Sequence, residues 1–232
     1  MNVRHPVPDE LLLDYTVGST GPGKSLLVAT HLAMCEGSQE RYVMLQEVGG
    51  ALLESLDGCR LERISVDAVL ARADAVAGDD PSTTPAAAKT KLPVPSGPLG
   101  GKLEGIDLPS PLLPLAHQVQ GASAWRRLGA GVEAAVLPAS TPQAKVQLLR
   151  AKPGVRIVEH THLGEELVLI LKGAFWDDGE YYGPGDVAVM DSATIHAPVI
   201  DDACECLCLA VTEGPIRFVG RYGWLLNLFN RF

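Results

Sequence analysis

HTHLGEELVLILKG, residues 160–173, decides the fold of this 232-residue chain. Its first half carries His160, His162, Glu165 and Glu166; its second half is an apolar, β-rich run closed by Gly173. Successive side chains on a strand point to opposite faces, so His160, His162 and Glu166 share one face and Glu165 points away. Period two alone makes that choice between adjacent glutamates. The turn Gly183-Pro184-Gly185-Asp186 then leads into DVAVMDSATIH, which delivers His196 from another strand. Three imidazoles and one carboxylate make a ligand set for a divalent metal, zinc first, with iron, manganese and nickel also suited.

Around this stretch, VQLLRA, RIVEHTH, DVAVMD and CECLCLAV are short β-rich runs broken by KPG, DDG and GPGD turns. Strands at such spacing predict an all-β sandwich or barrel over residues 109–232. Toward the N-terminus the period changes. PDELLLDYTVG, KSLLVATHLAMCEG, SQERYVMLQEVGGALLESL and SVDAVLARADAVAG read as four helices, with Ser38 and Ser65 placed to cap the third and fourth. They form a small all-α domain over residues 1–78, which buries little alone and is expected to lean on a metal, a partner or the second domain. Residues 79–108 are rich in Pro, Ala, Thr and Gly and read as a linker. The expected fold class is therefore α + β in two domains.

The composition, 47% hydrophobic and 20% charged, is that of a globular protein. No apolar run of about 18 residues is available to span a membrane. MNVRHPVPDE lacks the apolar stretch of a signal peptide, so a cytoplasmic location is expected. Five cysteines, an odd and uneven set, do not form a secreted disulfide framework. Cys204, Cys206 and Cys208 alternate along one strand. They read either as small buried residues of the β wall or as redox-active thiols near the metal. A net charge of −9 repels phosphate backbones and argues against direct nucleic-acid binding.

One motif needs weighing against its context. Gly18-Ser19-Thr20-Gly21-Pro22-Gly23-Lys24-Ser25 satisfies the pattern of a phosphate-binding P-loop. A true P-loop follows a buried parallel strand within a βαβ unit, whereas these residues lie between two helical segments. They read as an interhelical loop, and no nucleotide is expected.

The pattern H-x-H-x3-E-x6-G, with P-G-D and a later histidine, resembles the two cupin motifs. That resemblance implies a double-stranded β-helix, or jelly-roll, with a metal held inside by His160, His162, Glu166 and His196. It also extends outward. RHPVPDELLLDYTVG, LLVATHLAMC and VGGALLESL resemble the N-terminal domain of ChrR-type anti-sigma factors, and WRRLGAGVEAAVLP, the cupin core and CECLCLAVTEGPIRF resemble the second domain of the same family. The resemblance implies a transcription regulator, not an enzyme. Its helical domain would sequester an extracytoplasmic-function sigma factor, and its cupin domain would link release to oxidative stress from singlet oxygen or organic hydroperoxides. A metal-dependent cupin enzyme of the dioxygenase kind, with an accessory helical domain, is the alternative.

The family resemblance further implies an N-terminal zinc site made from a histidine near the start followed by H-x3-C-x2-C. Here the first ligand falls at Pro6, beside His5, and the last at Ser38, so only His31 and Cys35 match directly. Two readings follow. His5, His31 and Cys35 hold a second zinc with water or an acidic side chain, or Ser38 caps the third helix and the site is not a metal site. A serine hydroxyl stays protonated near neutral pH, and structural zinc sites are normally closed by four protein ligands.

Overall fold

The computed structural model describes residues 3–58, 65–77, 101–103, 106–129, 131–220 and 227. Helices α1 (Asp9–Thr16), α2 (Pro22–Leu32), α3 (Glu36–Glu54) and α4 (Val66–Ala77) stand where the four helical segments were expected. Gly21 and Pro22 start α2 two residues ahead of the expected Lys24, with proline at a position where its missing N–H costs nothing. Ser65 caps α4 through a 3.1 Å bond from the Ala68 N–H. Ser38 does not cap α3. The Gln39 N–H already bonds to the Cys35 carbonyl at 3.1 Å, so the helix begins earlier and Ser38 sits inside its first turn.

The β part holds β1 (Gly101–Leu103), β2 (Ile106–Leu108), β3 (Arg126–Gly129), β4 (Val132–Val136), β5 (Ala144–Ala151), β6 (His160–His162) and β7 (Glu166–Lys172). It continues with β8 (Phe175–Asp177), β9 (Glu180–Tyr182), β10 (Val187–Met190), β11 (Val199–Ile200), β12 (Cys206–Glu213) and β13 (Ile216–Phe218). A six-stranded sheet runs in the order β10-β7-β12-β5-β4-β3, a three-stranded sheet in the order β11-β8-β9, and β13 pairs with β6. Every pair is antiparallel. Val168 and Ile170 of β7 and Cys206, Cys208 and Ala210 of β12 point inward, where they meet Phe175 and Ile200 of the smaller sheet. Gly173 follows β7 with φ of +72°, and a Cβ there would stand 2.4 Å from the Glu205 carbonyl oxygen, which explains the glycine in the motif.

Alternate residues of the same strands face the other way. Leu167, Leu169 and Leu171 of β7 and Leu207, Leu209 and Val211 of β12 join Val7, Leu12, Leu26, Leu27 and Leu32 in one buried cluster. Both faces of the central strands are thus covered, one by the opposing sheet and one by helix α2. This packing sets the compact units differently from the expected division into 1–78, 79–108 and 109–232. The described residues up to Gln46 join those from Gly101 onward in one unit, and those from Glu47 to Ala77 belong to a second. The cause is that α1 and α2 bury their leucines on the sheet as well as on each other. Within the stretch read as linker, residues 101–108 supply the β1–β2 hairpin, and residues 79–100 lie outside the described residues. Among the described residues no helix is long and apolar enough to cross a membrane.

Candidate metal centre

His160 and His162 stand on β6, Glu166 opens β7, and His196 is tied to β6 by a bridge in which each of His160 and His196 donates its N–H to the other's carbonyl at 3.0 Å. The ligating atoms of all four residues lie within 4.8 Å of one another, and all four side chains are buried. Glu165, one residue away, points outward as period two requires. The ring orientations are fixed from behind. His160 Nδ1 donates to the Val158 carbonyl at 2.8 Å, and His196 Nδ1 donates to the Asp177 carboxylate at 2.6 Å. Those partners only accept, so Nδ1 carries the proton and, in the neutral form of each ring, Nε2 carries the lone pair. The two Nε2 atoms nevertheless face each other at 3.0 Å, and His162 Nε2 lies 3.1 Å from that of His196. Lone pairs so placed repel unless positive charge lies among them.

The electrostatics agree. Burial, followed by the neighbouring histidines, pushes His160 and His162 down to about 4, which keeps both rings neutral and able to ligate. Burial raises the Glu166 carboxyl, opposed by the Thr212 hydroxyl that donates to its Oε1 at 2.7 Å. Glu166 Oε2 stands 3.4 Å from His162 Nε2. Neutral imidazoles and a buried carboxylate whose cost a cation would offset fit a first-row divalent ion. Asp177 and Thr212 escaped the sequence reading. Asp177 belongs to a DDG stretch that reads as a turn, and only three-dimensional proximity reveals it as the orienter of His196. Thr212 shares the inward parity of Cys206 and Cys208, a signal that was available.

The N-terminal candidates behave differently. His31 is fully buried, and its ring is satisfied by hydrogen bonds. Nδ1 donates to the Gly185 carbonyl at 2.9 Å, while Nε2 accepts from the Ser38 hydroxyl at 2.8 Å and from the Val7 N–H at 3.4 Å. Burial holds its pKa at about 4, against the Gly185 bond and the charge of Asp186. His5 is elsewhere. It stacks on Tyr182 with ring centroids 4.4 Å apart, and its N–H donates to Asp186 Oδ1 at 2.9 Å. Cys35 is a buried free thiol. Among the described residues, only His160, His162, Glu166 and His196 group as potential ligands, so His5, His31 and Cys35 do not assemble. With both His31 nitrogens engaged and Ser38 donating to one of them, these residues do not fit a zinc ion.

The P-loop-like stretch runs from the loop after α1 into the first turn of α2, and among the described residues no strand precedes it. Lys24 is taken by Glu165 and Glu213, and the Ser25 and Thr20 hydroxyls bond to each other at 2.7 Å. Cys206 and Cys208 are buried and free, while Cys204 is exposed. A hydrogen bond with Cys206, then burial, holds the Cys208 thiol well above its ordinary range, which keeps it in the unreactive form.

Comparisons with known proteins place this geometry. Residues 117–217 match the ChrR cupin-like domain family. The chain is 35% identical to anti-sigma-E factor ChrR of Cereibacter sphaeroides over 222 residues, 94% of this chain and 93% of that one. The crystal structure of Rhodobacter sphaeroides SigE in complex with the anti-sigma ChrR matches with a TM-score of 0.67 at 32% identity, covering 91% of this chain and 100% of that one.

Proposed function

The chain belongs to the ChrR family of cupin-containing anti-sigma factors, and we propose that it sequesters an extracytoplasmic-function sigma factor in the cytoplasm through its helices. A zinc ion at His160, His162, Glu166 and His196 links release to oxidative stress. The observation that carries the partner assignment is the relationship along 94% of the chain to a protein of that activity, with a solved complex of the same family. A second observation supports a docking face on α3. Val48 and Leu52, four apart on α3, are 52% and 63% exposed. Such an apolar stripe along one helix is the form a partner's helices recognise.

When bound, the ion supplies the positive charge that lets Glu166 ionise and holds the three rings together. The protein's own residues do the rest. Asp177 and the Val158 carbonyl fix which nitrogen of His196 and His160 faces inward, and Thr212 orients Glu166. None of the four ligands is more than 6% exposed, which suits a sensor of small oxidants better than an enzyme for a bulky substrate.

Co-expression with the extracytoplasmic-function sigma factors of its own organism tests this reading. A stable one-to-one complex is expected, weakened by roughly tenfold or more on Val48→Asp or Leu52→Asp, the size of an interface hot spot. Failure to form any complex would sink the proposal. A metal-dependent oxygenase is the second reading, because three histidines and one glutamate leave coordination positions open. Oxygen uptake by iron-loaded protein with small diketones or thiols would favour it.

A further inference from the structure

The Gly18–Ser25 stretch binds no phosphate in this reading, yet its glycine and lysine are both put to use. Gly23 presses α2 onto the sheet: a Cβ there would stand 2.7 Å from Val146 Cγ2 and 3.1 Å from Val211 Cγ1. That close approach brings Lys24 over the β wall, where Nζ lies 2.7 Å from a Glu165 oxygen and 2.9 Å from a Glu213 oxygen. Its side chain is only 22% exposed.

Both carboxylates stand one residue from the metal centre. Glu165 precedes the ligand Glu166, and Glu213 follows Thr212, whose hydroxyl holds Glu166 at 2.7 Å. Thr212 and Glu166 are cross-strand partners, and the Glu213 N–H donates to the Glu165 carbonyl at 2.8 Å. Neighbours on a strand face opposite ways. The Glu166–Thr212 pair inside and the Glu165–Glu213 pair outside therefore sit back to back across one wall.

We propose that Lys24 is the latch that couples the state of the metal centre to helix α2. The inference rests on the reading of that centre as regulatory. With the cation gone, the buried Glu166 carboxylate loses the charge that draws it toward the three rings, and it shifts with the strand that carries it. Any movement is shared with Thr212 and with the backbone of residues 165 and 213. The outer carboxylates then lose the spacing that lets one ammonium hold both. Like charges side by side repel when the ammonium is not seated between them, so the latch has two discrete arrangements, closed and open. Opening it frees the first turn of α2, and with it the Thr20–Ser25 hydroxyl pair that closes the loop from α1.

Hydrogen exchange of the full chain, metal-loaded and chelator-stripped, tests the latch without any partner. In the wild type, stripping should speed exchange across residues 22–32 by roughly three- to tenfold, the range an ion-pair network of this exposure can hold. In Lys24→Met, loaded and stripped protein should exchange alike there while metal content stays at the wild-type level, and Lys24→Arg should restore the difference. A Lys24→Met protein that keeps the full response to stripping overturns the proposal, as does a wild-type α2 that ignores the metal. Should Lys24→Met fail to fold, Glu213→Gln removes half the grip; a reduced response supports the latch and an undiminished one overturns it. Complex formation with the sigma factor is scored separately. Its absence strikes the anti-sigma reading, while the exchange result still decides the latch.

Discussion

Replacing Ser38 by alanine removes the hydroxyl that donates to His31 Nε2 at 2.8 Å, where Ser38 is 2% exposed and His31 0%. The ring cannot turn to find another donor, because Nδ1 is held by the Gly185 carbonyl at 2.9 Å. Only the Val7 N–H remains near Nε2, at 3.4 Å. A buried acceptor left so poorly served costs about 1–3 kcal/mol. In a domain of this size each kcal/mol lowers the Tm by roughly 2–4 °C, so a fall of about 5 °C is expected. Thermal and urea unfolding should be measured in a His160→Ala/His162→Ala background, so that the barrel metal contributes nothing, with and without chelator. Ser38→Ala should lower stability equally in both conditions, and chelator alone should change nothing. A Ser38→Ala protein within about 0.5 kcal/mol of its parent, the ordinary surface effect, would refute the reasoning. So would a chelator effect on the parent, since metal would then be holding the helices.

Other outcomes follow from the same geometry. Metal analysis should find one equivalent per chain, lost in His160→Ala/His162→Ala. Asp177→Ala should weaken metal binding by roughly 10- to 100-fold in competition with a chromogenic chelator, the usual effect of removing a ligand's orienting carboxylate. Gly164→Ala would place a Cβ 1.9 Å from the Glu213 carbonyl oxygen, and the forced backbone shift should cost roughly 1–3 kcal/mol in urea unfolding. His31 is held at about 4 in the folded chain against an ordinary 6.5. The unfolded chain therefore takes the proton first. Stability from this site is complete above about pH 6.5 and is lost as pH falls toward about 4, a slope that His31→Gln should flatten.

The grouping of His160, His162, Glu166 and His196 was legible because a strand's period is rigid: it selects Glu166 over Glu165 with no knowledge of the fold. Helices were legible from their apolar spacing and punctuation. Three features were not. The orienting role of Asp177 depends on which loop ends beside His196, a matter of topology. Ser38 looked like a cap because serine before a polar turn usually is one, and nothing local reveals that Cys35 takes that position and frees the hydroxyl for His31. Most instructive is ELVLILK, whose lack of alternation carried information that went unused. Leu167, Leu169 and Leu171 on the outward parity need a cover, and α2, apolar on nearly every side from Leu26 to Leu32, supplies it.

That cover docks α1 and α2 on the sheet through apolar contact. The turn Gly183–Asp186 belongs to the second cupin motif, yet it faces the N-terminal segment as well. Asp186 Oδ1 accepts from the N–H groups of Arg4 at 2.6 Å and His5 at 2.9 Å, and its Oδ2 accepts from Gly183 at 2.8 Å. The Val187 N–H donates to the His5 carbonyl at 2.8 Å, and Gly185 receives His31. His31 and the His5 backbone, which the family resemblance would draw toward zinc, are here engaged by the Gly183–Asp186 turn. Among the described residues, the group that could hold a metal lies in the interior of the β sandwich. A signal from there would reach the helices through protein contacts, and the Gly185–His31 bond on one side and the Lys24 ion pairs on the other are polar contacts of that kind among the described residues.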